Sequence, residues 1–481
     1  MLGETRPKPK PWASDVLVAA LLAALVVATR LPFRTQLLFN WDAVNFALAL
    51  ERFDVRHHAP HPPGYPYFVG LGRALQALLG DANTALVAES ILFSVLAVVV
   101  LYFLGKALFD RRTGIIAALL LTGSVTFWSL GEMALAYTSL AFFSTLAALL
   151  GYLVLKGEKR LVLPLAVVYS LAGGFRPDLL LYLGPLFVAC LYRQPWRRII
   201  AALAIAVFGF GLWFLATAAL SGGLREYLAT LSGYMNEDVV SRYSVVEHGL
   251  AALTVNIRDT AAYTFYALYA ISLPLIAALF VWVWRRAWTS LPWAFLLLWL
   301  SPMLLFYTFI HIGDPGYVFT FLPGVLLLAA HFLARPRRWG LVLAGAVLLA
   351  NCLIFLFLPR PLTLPGLRQH QTALRAKMDF IADHYPAGET IIFTYESYRH
   401  VQYYLREHST LWIDLRDEKH EELGLPSGHD LVLFDESLAQ AWDGPPYPEE
   451  VALASDVSIY RLAEASGVLV RDGFRLRIRS P

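Results

Sequence analysis

What most constrains this chain is the recurrence of apolar runs about as long as a bilayer is thick. A helix needs about 20 mostly apolar residues to cross the hydrocarbon core, with roughly 17–25 tolerated. Eleven runs read this way, at residues 15–29, 85–105, 113–131, 133–155, 161–175, 179–192, 199–224, 260–284, 287–310, 315–334 and 339–358. Those starting at 15, 161 and 179 are short, but Arg30, Arg160 and Arg193 flank them and can extend them by snorkelling. No small-residue cleavage site precedes Arg30-Leu31-Pro32, so the first run reads as a span and not as a signal peptide. The 481 residues are 58% hydrophobic and only 16% charged, against about 25% charged in a soluble protein. This excludes a soluble multidomain enzyme, a disordered chain and a nucleic-acid binder driven by basic charge. Cys190 and Cys352 both lie inside apolar runs, which leaves no disulfide framework or CxxC metal site.

Lysine and arginine set an expected orientation. With Arg6, Lys8 and Lys10 in the cytoplasm, alternate turns carry Lys106/Arg111/Arg112, Lys156/Lys159/Arg160, Arg193/Arg197/Arg198, Arg285/Arg286 and Arg335/Arg337/Arg338. Residues 1–360 then hold 17 basic side chains inside and 10 outside, and 13 of their 17 acids lie outside. An odd number of helices leaves residues 361–481 outside. That region carries 12 basic and 19 acidic side chains, a balance of −7, against +10 for residues 1–360. The expected architecture is a multi-pass α-helical membrane protein of about 11 transmembrane helices over 1–360, with a small extracytoplasmic α/β domain over 361–481.

Two outer stretches do not span. The first, 31–84, contains a helix-like segment at 42–53, the loop His57-His58-Ala59-Pro60-His61-Pro62-Pro63-Gly64-Tyr65-Pro66, and a short apolar piece interrupted by Arg73 and Gln76 that suits the interface. The second, 221–259, is broken at Gly222-Gly223 and carries Tyr227, Tyr234, Tyr243, Arg242, Glu247 and Arg258. In the tail an amphipathic helix at 368–384 precedes β-rich runs at 390–394, 411–414, 431–434 and 458–462, with helical stretches at 397–406 and 436–441 between them. No Gly-rich phosphate fingerprint and no internal repeat is present.

The orientation gathers the reactive side chains on one side. Asp42, the histidine loop, Glu132, Arg176, Asp178, His311, Asp314 and Tyr317 fall in outer turns, while inner turns hold almost only lysine and arginine. Ionisable groups beside a bilayer are costly to place, so a one-sided cluster marks a functional site. Each residue also has a structural reading. Asp42, after Asn40-Trp41, suits the N-cap of a helix. Glu132 suits a solvated turn. Pro177 suits the first position of the next helix, with Asp178 complementing its dipole. His57, His58 and His61 read as an interfacial loop before a metal site, because no carboxylate sits at ligand spacing. His311 suits a turn histidine bonded to a carbonyl, and Glu89 a satisfied polar residue near a span end.

The chemistry of these residues suits displacement of a phosphate. Arg176, with His58 or His61, supplies charge and bidentate hydrogen bonds to a leaving phosphate. Asp42 suits a general base for an acceptor hydroxyl.

Four local patterns carry a family resemblance. They are Asn40-Trp41-Asp42-Ala43, His61-Pro62-Pro63-Gly64-Tyr65-Pro66, the span ending Leu101–Arg112, and Phe127-Trp128-Ser129 before an outer turn with an acid and Tyr137. In layout over about 15–330, and in motif over 40–180, the chain resembles the C-type (GT-C) membrane glycosyltransferases, which include the protein O-mannosyltransferases and the bacterial aminoarabinose transferase. The resemblance implies transfer of a sugar from a polyprenyl-phosphate donor to a lipid, glycan or protein acceptor, with Asp42 as the catalytic base. Nucleotide sugars are absent outside the cytoplasm, which fits a lipid-anchored donor, and one displacement inverts the anomeric centre and needs no carboxylate nucleophile. Many members carry a second acid beside it; here Asn40 stands two residues before Asp42, which argues against a divalent metal and leaves no cofactor expected. His58, His61, Tyr65, Glu132, Tyr137, Arg176, Asp178, His311 and Tyr317 are the expected substrate-binding set. The expected location is the bacterial cytoplasmic membrane, with membrane lipids and no nucleic acid as partners. The alternative is a transporter or flippase of a lipid-linked substrate; such proteins show paired repeats and broken helices, and no such pairing is visible.

Overall fold

The computed structural model describes residues 11–241, 244–284, 290–336, 338–416, 420–426, 428–445, 447–454, 456–462, 467–471 and 474–479. Arg6, Lys8, Lys10, Arg242, Tyr243, Arg285, Arg286 and Arg337, used above for orientation or for the second outer stretch, lie outside these residues. The chain forms two compact units, one of Met1–Gln36 with Ala49–Pro365 and one of Leu37–Leu48 with Gly366–Pro481.

The first unit is helical: α1 (Pro11–Arg30), the C-terminal end of α2 (Trp41–Glu51), α3 (Pro66–Leu79), α4 (Ala82–Leu108), α5 (Arg111–Thr122), α6 (Val125–Leu130), α7 (Tyr137–Lys156), α8 (Val162–Phe175), α9 (Asp178–Leu191), α10 (Trp196–Leu220), α11 (Leu224–Tyr234), α12 (Val245–Leu268), α13 (Ser272–Trp284), α14 (Leu291–Phe309), α15 (Leu322–Ala334) and α16 (Trp339–Phe357). Seven of its helical segments are long and apolar enough to cross a membrane, and α9 and α15 are shorter apolar helices. Over its described residues, each expected run overlaps one or two of these helices.

α4 is the centre, packed on α1, α3, α5 and α7. Asp81 and Asp110 cap α4 and α5, accepting the amides of Thr84 and Thr113 at 2.7 and 2.8 Å. The α4–α5 hairpin closes because Gly105 and Gly114 meet backbone to backbone; a Cβ on Gly105 would lie 2.7 Å from the Gly114 Cα. On α1, α10 and α16 the apolar side chains point outward: Val16, Val207, Phe208 and Leu349 are all about 60% exposed or more. Such surface is stable only against lipid.

Three runs are interrupted. Residues 113–131 divide into α5 and α6 at Gly123-Ser124, and residues 260–284 divide between α12 and α13 through a 3-10 turn at Tyr269–Ile271. Residues 315–334 begin as a 3-10 turn, Pro315–Thr320, before α15. Backbone groups freed inside an apolar layer need partners. One fully buried side chain on α16 supplies them: the Asn351 amide donates to the carbonyls of Gly123 and Leu268, both at 3.0 Å, and its oxygen accepts the Ala270 amide at 3.0 Å.

The second unit contains α17 from Gly366 onward (Leu364–His384), α18 (Tyr398–Tyr404) and α19 (Glu436–Gln440), with β1 (Thr390–Thr394), β2 (Ser409–Trp412), β3 (His420–Gly424), β4 (Asp430–Leu433), β5 (Trp442–Asp443), β6 (Glu449–Ala454), β7 (Val457–Leu462), β8 (Gly467–Arg471) and β9 (Phe474–Arg479). One sheet has the order β2-β1-β4-β7-β6, parallel through its first three strands and antiparallel beyond. All four expected strands lie in it. A second sheet, β3-β9-β8-β5, falls outside the expected β-rich runs. Its strands His-Glu-Glu-Leu-Gly and Phe-Arg-Leu-Arg-Ile-Arg are about half charged and leave no apolar run to read. Leu37 packs in this unit's core with Leu374, Met378 and Ile381.

Candidate functional site

The first unit gathers six of the expected residues around a seventh, Arg176. α8 stops at Phe175, Arg176 takes an extended conformation, and Pro177 precedes α9, whose first residue is Asp178. Pro177 thus sits one position earlier than the sequence suggests, at the cap, where its φ of −59° still suits helix entry. This tight joint lets Arg176 Nε donate to Asp178 Oδ2 at 3.1 Å. The guanidinium, 7% exposed, lies over the rings of Tyr317, Tyr137 and Tyr65, at 4.3, 5.4 and 5.7 Å from their centroids. Burial opposes its charge, but Asp178 and then the phenols of Tyr65, Tyr317 and Tyr137 outweigh burial, and the net push on its pKa is upward. Arg176 is therefore a permanent buried cation. Asp178 occupies its Nε.

Tyr65 is joined to His61, whose Nε2 lies 2.9 Å from the phenol oxygen. Burial drives the Tyr65 pKa well up, which keeps the phenol protonated. His311 stands perpendicular to the Tyr317 ring at 6.1 Å. Burial, with Arg176 adding to it, lowers its pKa to about 4, so the imidazole is neutral at physiological pH. Tyr137 and Tyr317 face each other at 6.0 Å. Gly316 makes room for this, since a Cβ there would overlap the Tyr137 ring.

Several supports are invisible in the sequence. Tyr307, inside the apolar α14, donates to the Tyr317 carbonyl at 3.1 Å and lies 3.0 Å from the Thr320 hydroxyl. Nothing in an all-round apolar helix marks one tyrosine as facing inward. The histidine loop is held from beneath: Asp54 accepts Arg56 Nη2 at 2.7 Å, Tyr227 donates to the Pro63 carbonyl at 2.8 Å, and Ser221 Oγ accepts the Val55 amide at 3.2 Å. The second outer stretch thus braces the first.

Other expected residues show other neighbours. Glu132 is fully buried, with Arg30 as its electrostatic neighbour, and its carbonyl accepts both the amide and the hydroxyl of Thr35 at 3.0 Å. The solvated-turn reading of Glu132 fails for this reason. Arg30 is itself fully buried, donating to the Thr122 carbonyl at 2.7 Å beneath Trp128. His58 is half-buried and closes the 3-10 turn Val55–His57 in a left-handed conformation. Glu89 is fully buried on α4 with no hydrogen-bond partner among the described residues, so it is not the satisfied polar group expected.

Asp42 belongs to the second unit, as the second residue of α2. It is not the N-cap. Asn40 takes that role, its side chain accepting the Ala43 amide at 3.0 Å. Among the described residues no three His, Cys, Asp or Glu side chains form a metal-ligand cluster.

A family model described as dolichyl-phosphate-mannose-protein mannosyltransferase matches residues 60–222. That span holds His61, Tyr65, Glu132, Tyr137, Arg176 and Asp178. No curated protein sequence matches the chain. Among solved structures, the fold is similar to that of ArnT from Cupriavidus metallidurans bound to undecaprenyl phosphate, with a TM-score of 0.59 at 14% identity over 98% of each chain. The apo state of the same protein gives 0.59 at 14% identity, covering 94% of this chain and 98% of that one. The apo oligosaccharyltransferase of Archaeoglobus fulgidus gives 0.50 at 14%, over 84% and 64%. The family model thus matches about a third of the chain, and the likeness to ArnT shows a shared fold.

Proposed function

We propose that the chain moves a sugar from a polyprenyl-phosphate donor to an acceptor on the outer face of a bacterial cytoplasmic membrane, with inversion at the anomeric carbon. The observation that carries this is Arg176, a buried cation kept charged inside a ring of three phenols beside the His61–Tyr65 pair. A permanent positive charge in a dry aromatic setting suits a phosphate that gains charge as its bond to C1 breaks. The terminal nitrogens of Arg176 and the His61 imidazole take the phosphoryl oxygens, and the phenols of Tyr137 and Tyr317 hold sugar hydroxyls. Neutral His311 adds a hydrogen bond without a competing charge.

In the reaction the acceptor oxygen attacks C1, the C1–O bond to phosphate breaks, and polyprenyl phosphate leaves with the bonding electrons. Asp42 takes the acceptor's proton. Asn40 supports this role, because by capping α2 it spares Asp42 that task. The undecaprenyl phosphate bound to the Cupriavidus metallidurans protein supports a lipid-phosphate ligand by analogy of fold.

Mass spectrometry of membrane lipids and glycans, from cells carrying the wild type or Asp42→Asn, tests the proposal. A glycosylated product that disappears in the variant at equal protein abundance supports it. Full product formation by Asp42→Asn removes Asp42 from the mechanism. Translocation of a lipid-linked sugar without any new glycosidic bond removes the transferase reading itself.

A further inference from the structure

Among its described residues the second unit shows no metal-ligand cluster, yet it holds one foreign piece of chain, the segment Leu37–Leu48 that carries Asp42. Four side chains grip the backbone just before Asp42. Gln371 Oε1 accepts the Leu37 amide at 3.3 Å, and the Tyr404 hydroxyl accepts the Leu38 amide at 2.9 Å. His400 Nε2 donates to the Leu38 carbonyl at 3.1 Å, and His370 Nε2 donates to the Phe39 carbonyl at 2.9 Å. His370 and Gln371 are neighbours on α17. His400 and Tyr404 lie four residues apart on one face of α18.

Packing reinforces the grip on both sides. Leu37 is built into the core with Leu374 and Ile381. The Phe39 ring lies 4.7 Å from His370, and the Trp41 ring lies 6.0 Å from Tyr398 and 5.7 Å from Trp412. His400 is 4% exposed, and among the described residues its Nδ1 has no partner, which suits a neutral ring with its proton on Nε2. Side-chain bonds to four backbone groups within three residues go beyond what anchoring a loop needs. The next residue, Asn40, caps α2, so the position of Asp42 follows directly from this grip.

We propose that the C-terminal domain is the positioning platform of the catalytic aspartate, with His370, Gln371, His400 and Tyr404 as positioning residues for Asp42. The inference rests on the reading of Asp42 as the base. A general base must stand within hydrogen-bond reach of the proton it takes, and a displacement of an ångström costs about a hundredfold in rate. The domain therefore acts on turnover, and not on donor affinity.

The test uses the full-length purified protein and membranes carrying it. Undecaprenyl phosphate alone is titrated to measure donor-site affinity, and glycosylated product per mole of protein is measured by mass spectrometry. Tyr404→Phe removes one oxygen, and His400→Leu removes the donor to Leu38. Each is expected to lower product formation tenfold or more while leaving undecaprenyl phosphate affinity within twofold. His400→Gln, which restores an N–H at similar reach, is expected to recover most of the loss. Amide hydrogen exchange at Leu38 is expected to rise in Tyr404→Phe, which reports the grip even where His400→Leu accumulates poorly. Parallel loss of affinity and product would mark a merely structural role and overturn the inference. Wild-type product formation by Tyr404→Phe and His400→Leu, with Asp42→Asn inactive, would overturn it alone. An active Asp42→Asn would instead overturn the reading of the base.

Discussion

Replacing Arg176 by Met tests the charge at the centre of the site. Methionine fills much of the same volume among Tyr65, Tyr137 and Tyr317 and removes only the cation and its donors. Nε is already committed to Asp178 at 3.1 Å, so the loss to a phosphate comes from the terminal nitrogens. A hydrogen bond to a charged group contributes about 1.5–3 kcal/mol. Counting one such bond as fully lost gives about 1.5–3 kcal/mol, or roughly 10- to 150-fold in affinity. The variant also leaves Asp178 without its partner. Because that carboxylate is 27% exposed, water compensates in part. The cost to stability should fall between the roughly 1 kcal/mol of an exposed pair and the roughly 3–5 kcal/mol of a sealed one. The assay is a titration of purified protein with undecaprenyl phosphate, alongside a thermal melt. Unchanged affinity in a folded Arg176→Met protein would refute a phosphate-binding role for this arginine.

Other outcomes follow from the same geometry. Asp42→Asn is expected to reduce turnover at least about a hundredfold, the usual contribution of a positioned base, with undecaprenyl phosphate affinity retained. Asn351→Leu strips partners from the Gly123 and Leu268 carbonyls and the Ala270 amide. At about 1–3 kcal/mol for each orphaned group, folded protein recovered from membranes should fall sharply. Gly316→Ala drives a methyl into the Tyr137 ring and should cut product formation while the protein still melts cooperatively. Burial holds His400 to a pKa of about 4, against 6.5 in the unfolded chain. Between these values the unfolded state binds the extra proton, so stability rises with pH across about pH 4–6.5. The full span corresponds to about 3 kcal/mol, and His400→Gln should flatten that limb of a melting-temperature profile.

Legibility differs between fold and site. The eleven runs are readable because a bilayer imposes one length and one polarity on whatever crosses it, and each overlaps helix over its described residues. Where a run divides, at Gly123-Ser124 or Tyr269, the sequence shows only continuous hydrophobicity, since the compensating Asn351 lies 228 residues from the first carbonyl it serves. The residues around Arg176 are legible as types in turns. Chemistry-bearing side chains are conspicuous in an apolar background, and His61, Tyr65, Tyr137, Asp178, His311 and Tyr317 do converge with it. Glu132 looks equally conspicuous, but it is fully buried with Arg30 as its electrostatic neighbour, which residue type alone does not foretell.

Composition and periodicity alone determined that the chain is a membrane protein with an acidic, strand-containing tail, because transfer free energy acts on each segment by itself. Only the tertiary structure decided that three tyrosines from three separate turns enclose one arginine, and that the segment bearing Asp42 packs with the tail. Those are contacts between residues tens to hundreds of positions apart. Their strength depends on distance and burial, which no local window of sequence contains.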